Sequence, residues 1–431
     1  MAAQAAHGRF IPEAPSPEGE QNSIFQKGQT PAPRPRRRSF SWLPFRGRGG
    51  ALFPHSMRRL TVKERDNWQQ TVESQGFVFH SPDGEYWNES ACYEFREPEI
   101  LAIEKATNEL SDLCLEAVQH VIDKNLYAQF DVPPEFGELI AFSWDNDSPS
   151  IYGRFDLAYN GQQIKLLEFN ADTPTSLLEA AVIQWFWLQD FDRNKDQFNS
   201  IHEKLIVHFQ TIKPHLLSPE LHFTCVRDSV EDYMTVAYLM DCAKQAGCAP
   251  SFLYMDEIGY DGQMREFQGT RQEAIADIFK LYPYEWMLNE EFGKHLVETK
   301  EKTRWIEPAW KMILSNKMIL KVLWDMFPNH PNLLRTDLLP FCSEYVRKPK
   351  LSREGANVKI MQSGRTVAET FGDYGGEGYV YQEFFQLPGF DGNVPVLGSW
   401  LIGGEAAGMG IRESRSLITD NQSRFVPHYF V

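Results

Sequence analysis

From residue 97 to 124 the apolar residues Ile100, Ile103, Leu110, Cys114, Ala117 and Val121 recur at helical spacing, predicting one long amphipathic helix with Pro98 in its first turn. Two alternating runs follow, 151–159 and 164–170, around Asn160-Gly161, which is the pattern of a β-hairpin. An aromatic-rich helix is expected over 174–190. The stretch 220–290 alternates strand and helix: a strand at 221–226, a helix to about 248, then strands at 251–255 and 278–284. That is a small open α/β unit. From about 303 the pattern returns to helix and then strand, with turn-forming glycines at 372, 375, 376 and 378. No internal repeat is visible.

A chain of 431 residues exceeds one ordinary core, so two or three packed units are expected in an α/β (α+β) protein. The pattern divides it into 1–56, 57–219 with the long helix and the hairpin, 220–300 with the small α/β unit, and 301–431. Residues 1–56 hold eight of the 26 prolines, the basic cluster Arg36-Arg37-Arg38 and no periodic apolar pattern, so this basic, Pro-rich extension is expected to be disordered. A targeting peptide or a nucleic-acid arm would read this way; the favoured expectation is that Met57 is the true start and the extension is not native.

A content of 42% hydrophobic and 13% aromatic residues excludes a disordered or fibrous protein. The net charge of −16 argues against a nucleic-acid-binding surface and suits either a cationic partner or plain solubility. The six cysteines form no C-x-x-C pair and read as free thiols in a reducing compartment. No stretch is long and apolar enough to suggest a membrane span, and no secretory core follows the N-terminus, so a cytoplasmic location is expected. The oligomeric state is open, a homodimer included.

The hairpin carries the densest chemistry. Arg154 and Asp156 share a face of one strand, and Glu168 and Asn170 share a face of the next. A two-residue Asn-Gly turn would split these four between opposite faces. An odd loop, Asn160-Gly161-Gln162, would pair Arg154 with Glu168, gather all four and leave Phe155, Leu157, Leu167 and Phe169 on one apolar side; the hydrophobic pattern selects that loop. Two carboxylates and an amide oxygen on one spot suit Mg²⁺, which completes its shell with substrate phosphates. The alternative is an exposed charged face with an Arg–Glu cross-strand pair.

Several elements call for phosphate. Lys348 closes a strand at 344–348 and precedes the small-residue loop Leu351–Ala356, whose backbone N–H groups, Gly355 among them, could cover a phosphate. Lys317 lies near a helix start, where surface solvation is the plain alternative. The strand around Gln382 and Glu383 could read an adenine edge, and Arg412 sits on the Gly-rich strand Gly408-Met-Gly-Ile-Arg, where a structural ion pair is the alternative.

Taken together, the residues resemble the synthetase domain of the glutathionylspermidine synthase family over about 57–431. The resemblance is carried by R-x-D at 154–156, E-x-N-A-D at 168–172, E-P-x-W at 307–310 leading to Ser315-Asn-Lys317, Lys348-Pro349, Arg353 to Asn357, and G-x-G-I-R at 408–412. It implies a circularly permuted ATP-grasp fold, with 220–300 a pre-ATP-grasp-like substrate domain and 301–431 the lid and the last core strands. It implies two Mg²⁺ ions at Asp156, Glu168 and Asn170, and ATP on Arg154, Lys317, Lys348, Gly355, Gln382 and Glu383. Arg154 and Arg412 would be catalytic, stabilising the transferring phosphoryl group and the intermediate. The implied reaction joins a glutathione- or peptide-like carboxylic acid to a polyamine-like amine through an acyl phosphate, without the amidase activity of bifunctional members. Leu281 stands where the family has a polar contact to glutathione, which puts glutathione itself in question.

Glu231 and Asp232 match the family's pair of acids for the amine, and Thr173 its contact to the acid substrate. Each has a structural alternative: Ser229–Asp232 reads as a capping box, and Thr173 as the cap of a helix opened by Pro174. Two other functions compete with the ligase. A nucleotide-binding regulatory protein on a degenerate ligase scaffold would keep the ATP residues, and a carboxylate hydrolase would have no use for Lys317 and Lys348.

Overall fold

Glu97–Asp123 forms the predicted long helix in the computed structural model, which describes residues 57–431 other than 83 and 421. The expectation for residues 1–56 lies outside the described residues. Glu99 closes the first turn by accepting the Arg96 N–H at 3.0 Å, and also takes the Met57 N–H and the Tyr159 hydroxyl. The apolar face (Ile100, Ile103, Leu110, Cys114, Ala117, Val121) is buried in one cluster with Phe155, Leu157 and Phe169 of the hairpin. A fully buried side chain of this size contributes about 1.5–3 kcal/mol, so the helix fixes the hairpin from its apolar side.

The central sheet is antiparallel, in the order Arg424–Val426, Glu405–Ser414, Val394–Ile402, Tyr152–Tyr159, Ile164–Asn170. Strands from the chain's last quarter thus pair directly with the hairpin: Gly398 lies opposite Asp156, and Trp400 opposite Arg154. The small unit is parallel as expected, in the order Arg304–Ile306, Asp277–Leu281, Glu220–Cys225, Ala249–Phe252, with helix Val230–Gln245 as the crossover. Strand Arg304–Ile306 joins this sheet from beyond residue 300. A third, antiparallel sheet (Thr336–Asp337, Tyr379–Glu383, Tyr345–Pro349, Lys359–Gln362, Arg365–Glu369) covers the cavity between the other two and has a small core of its own around Val358, Ile360 and Ile418.

Two local expectations are corrected. The hairpin loop is even, not odd: Tyr159 pairs with Ile164 around residues 160–163. The polar four still gather, because a bulge at Leu167 shifts the register, so that Leu157 faces Leu166 while Asp156 faces Glu168 and Arg154 faces Asn170. Parity reasoning assumed a regular ladder; the extra residue supplied the missing odd step. The aromatic-rich helix begins at Leu177, not at Pro174, and its first turns widen into a π-type segment at Glu179–Ile183. Thr173 therefore caps nothing.

All six cysteines are free, and all except Cys342 are buried. Among the described residues no helix is long and apolar enough to cross a membrane.

Candidate active site

The bulged hairpin, the parallel sheet and the covering sheet enclose a cavity of about 430 Å³. Arg154, Asp156, Glu168 and Asn170 line it from the hairpin, Lys348, Gly355, Gln382 and Glu383 from the covering sheet, and Arg412 from the central sheet. Thr173, Glu231 and Asp232 line its other end. Lys317 does not reach the wall: it is buried behind Glu168, 3.3 Å from the carboxylate, and donates to the Ser352 carbonyl at 3.0 Å.

The electrostatics of the hairpin face are set by these pairs. Burial alone would push the Glu168 carboxyl up, but Lys317 and Lys348 outweigh it and bring it down to about 2. Lys348 is buried, donates to the Leu167 carbonyl and to Gln382 Oε1, both at 2.8 Å, and is lowered to about 8 by burial, with Lys317 adding to the shift and Glu168 opposing it. Gln382 is thus a bridge, its Nε2 donating to the Leu166 carbonyl at 3.0 Å. Arg154 donates to Asp156 at 2.8 Å and to the Thr175 carbonyl at 2.7 Å, and lies over Trp400. Gly398 makes room for it, since a Cβ there would come within 2.9 Å of the Arg154 Cδ.

Some donors are unpaired. Asn170 Nδ2, Arg412 Nε and Arg353 Nε are buried without a hydrogen-bond partner. Such groups are costly unless something else satisfies them, and all three residues line the cavity. Gly355 has φ 67°, and a Cβ on it would meet the Thr419 carbonyl at 2.4 Å, so the loop that carries Arg353 approaches the 414–420 segment as only glycine allows.

Three features escaped the sequence reading. An apolar patch of Val346, Val358, Ile360, Phe384, Leu387 and Ile418 lines the same cavity as Lys348 and offers a surface on which a flat aromatic ring can pack. Arg353 clamps the site, donating to Thr173 Oγ1 at 2.6 Å and to Glu285 at 2.9 Å. Behind Thr173, Asp172 and Lys280 form a fully buried pair at 2.5 Å that ties the hairpin's exit to the parallel sheet. Alternation within the strand 277–281 could have flagged Lys280 as inward-facing; the apolar patch needs contacts between distant strands and had no local signal.

Ser229 caps helix Val230–Gln245 by accepting the Asp232 backbone N–H at 3.2 Å, so the cap uses the main chain of Asp232 and leaves its carboxylate on the cavity wall. Burial and the neighbouring Glu231 push Asp232 up to about 7.

The architecture is that of a mixed α/β protein of glutathione-synthetase-like fold: a glutathione synthetase-like effector of Globodera pallida, solved without ligand, superposes with a TM-score of 0.52 at 10% identity over 85% of this chain and 98% of its own. The chain belongs to the glutathionylspermidine synthase preATP-grasp family, whose model matches residues 59–431. A Haemophilus influenzae protein named "Putative acid–amine ligase" is 43% identical over 87% of this chain and 100% of its own length. Trypanothione synthetase of Crithidia fasciculata is 31% identical over 74% of this chain but only 53% of its own length. The family is one of carbon–nitrogen ligases.

Proposed function

We propose that this protein is an ATP-dependent acid–amine ligase that activates a carboxylic acid as an acyl phosphate and transfers it to an amine, on a circularly permuted ATP-grasp scaffold. The observation that carries this reading is that Asp156, Glu168 and Asn170 share one cavity with Lys348, Arg154 and Arg412, together with an apolar patch on which a nucleobase can pack. A carboxylate hydrolase would have no use for the patch or for a lysine held among these acids.

The residues fit a metal. Asp156 and Glu168 face each other across the hairpin, and Asn170, on the same cavity wall, has an amide oxygen to offer as a third hard ligand. Two carboxylates and an amide oxygen are a hard-oxygen set of the kind that holds Mg²⁺ together with nucleotide phosphates. Mg²⁺ when bound supplies neutralisation of the phosphate charge.

Each side chain then has a task. Lys348 and, through Glu168, Lys317 orient the phosphates. Arg154 and Arg412 stabilise the charge that develops on the transferring phosphoryl group and on the tetrahedral intermediate; such fixed donors act most strongly in a water-excluded site. Thr173 and Arg353 hold the acid, and Glu231 with Asp232 hold the amine as a cation. Leu281 is buried and gives the acid side an apolar wall together with Pro283 and Trp286, so glutathione is one acid among several to be tried.

The test is ADP release across a panel of carboxylic acids and amines, with product mass read in parallel. ADP formation that needs both substrates supports the ligase; ATP turnover indifferent to both would replace it with the nucleotide-dependent regulatory reading.

A further inference from the structure

Strands Glu220–Cys225 and Asp277–Leu281 run parallel and side by side, with Cys225 opposite Leu281, so the residues that follow them emerge together at the carboxyl end of the sheet. That end is where an open parallel sheet holds a ligand. Here it is apolar: Val226, Leu281, Pro283 and Trp286 all line the reaction cavity. The turn after Leu281 is fixed beside Thr173, because Lys280 donates to the Tyr282 carbonyl at 2.9 Å and the Tyr284 N–H donates to Asp172 at 3.1 Å. Trp286 is the unusual member of the group, since its large ring is 42% exposed. Tyr282 stands edge-on to it, 5.4 Å between ring centres, and the Arg353 guanidinium lies 5.6 Å from the ring centre. A tryptophan braced in this way on a cavity wall, with much of its surface open, offers a face for another apolar group to cover.

The cations around this wall are already answered. Lys280 is paired with Asp172 and Arg353 with Glu285, and Asp232 stands within the field of the same Arg353 guanidinium. A ligand that brought a second carboxylate here would meet a neutralised guanidinium and a further acid, which repels it. What Arg353 still offers is its buried Nε–H, which has no partner and can donate to a neutral carbonyl oxygen.

We propose that the acid substrate carries a single carboxylate and an apolar, ring-bearing body joined to it through a carbonyl-containing link. The body covers Trp286, and the link's carbonyl oxygen accepts from Arg353 Nε. The inference rests on the ligase reading and makes Trp286 a specificity-determining residue: it selects against acids whose far end is charged, a zwitterionic peptide such as glutathione included.

The probes are N-benzoylglycine, N-acetylglycine and glutathione, three acids that end in the same glycine carboxylate. Each is titrated calorimetrically into the full chain with magnesium and ADP present and no amine. Wild-type protein is expected to bind N-benzoylglycine about tenfold more tightly than either of the others, the worth of one covered ring. Trp286→Ala should lose most of that margin, with N-acetylglycine and ADP binding as before, and Trp286→Phe, which keeps a ring, should retain most of it. Glutathione bound as tightly as N-benzoylglycine, a margin that survives Trp286→Ala, or no binding of any of the three overturns the inference. Acid-dependent ADP release across the panel would then leave the ligase standing without it.

Discussion

Lys348 Nζ lies 2.8 Å from the carbonyl oxygen of Leu167, the one residue that the hairpin bulge leaves without a cross-strand partner. The irregularity that turns Asp156 toward Glu168 is therefore the same one that frees a carbonyl to anchor the lysine. Acids on one sheet and cation on another are set by a single extra residue.

Lys348 makes the first prediction one of pH. Burial holds its ammonium at about 8 against a reference of 10.5, so the charge that attracts phosphate is present below pH 8 and lost above it. The free-enzyme parameter kcat/KM for ATP should fall as pH rises through 8. In Lys348→Met the parameter should be at least tenfold lower and that fall absent; an unchanged pH profile in the variant would count against the assignment. Stability without nucleotide runs the other way, rising from pH 8 toward 10.5 as the unfavourable buried charge is shed.

Glu168 balances two lysines, so Glu168→Gln removes their counter-charge and, on the proposed reading, a metal oxygen. ATP turnover should drop at least a hundredfold with the circular dichroism spectrum unchanged. Turnover near wild type would remove Glu168 from the metal site.

The sequence made the long helix, the small parallel unit and the polar face of the hairpin legible because each is written in local periodicity. Ile100 to Val121 follow one helical stripe, and Arg154, Asp156, Glu168 and Asn170 alternate with large apolar residues. The bulge at Leu167 was not legible, because an extra residue in one strand is stabilised by contacts from another sheet, here Lys348 and Gln382. For the same reason the start of the helix at Leu177 was missed: Pro174 and Thr173 carry the local signature of a helix start, but Arg353 and the Asp172–Lys280 pair anchor that segment, and Ser176 takes a left-handed φ of 68° that no helix can run through. Arg353 was legible as part of a motif and not as a clamp, since Thr173 and Glu285 lie far from it in sequence.

The Asp172–Lys280 pair should behave as a buried ion pair whose breakage is costly. Lys280→Met leaves Asp172 unpaired and should destabilise the fold by about 3–5 kcal/mol, whereas Lys280→Met combined with Asp172→Leu should recover much of that loss. Chemical denaturation of the single and double variants measures the difference. A double variant no more stable than Lys280→Met alone would count against the pair.

Glu231 has no part in capping its helix, because Ser229 serves the Asp232 N–H. Glu231→Gln should therefore raise the amine KM about tenfold, the worth of a charge-assisted hydrogen bond, and leave the ATP KM and the melting temperature alone. An unchanged amine KM would move the amine away from this end of the cavity.

The central claim is that ATP activates the acid's carboxylate in the cavity between the hairpin and Lys348. With both oxygens of that carboxylate labelled with ¹⁸O, for the acid that the ADP-release panel identifies, the released phosphate is analysed by mass spectrometry. Passage through an acyl phosphate puts one labelled oxygen into the phosphate and leaves the other in the amide. Unlabelled phosphate, formed alongside the amide product, would contradict it.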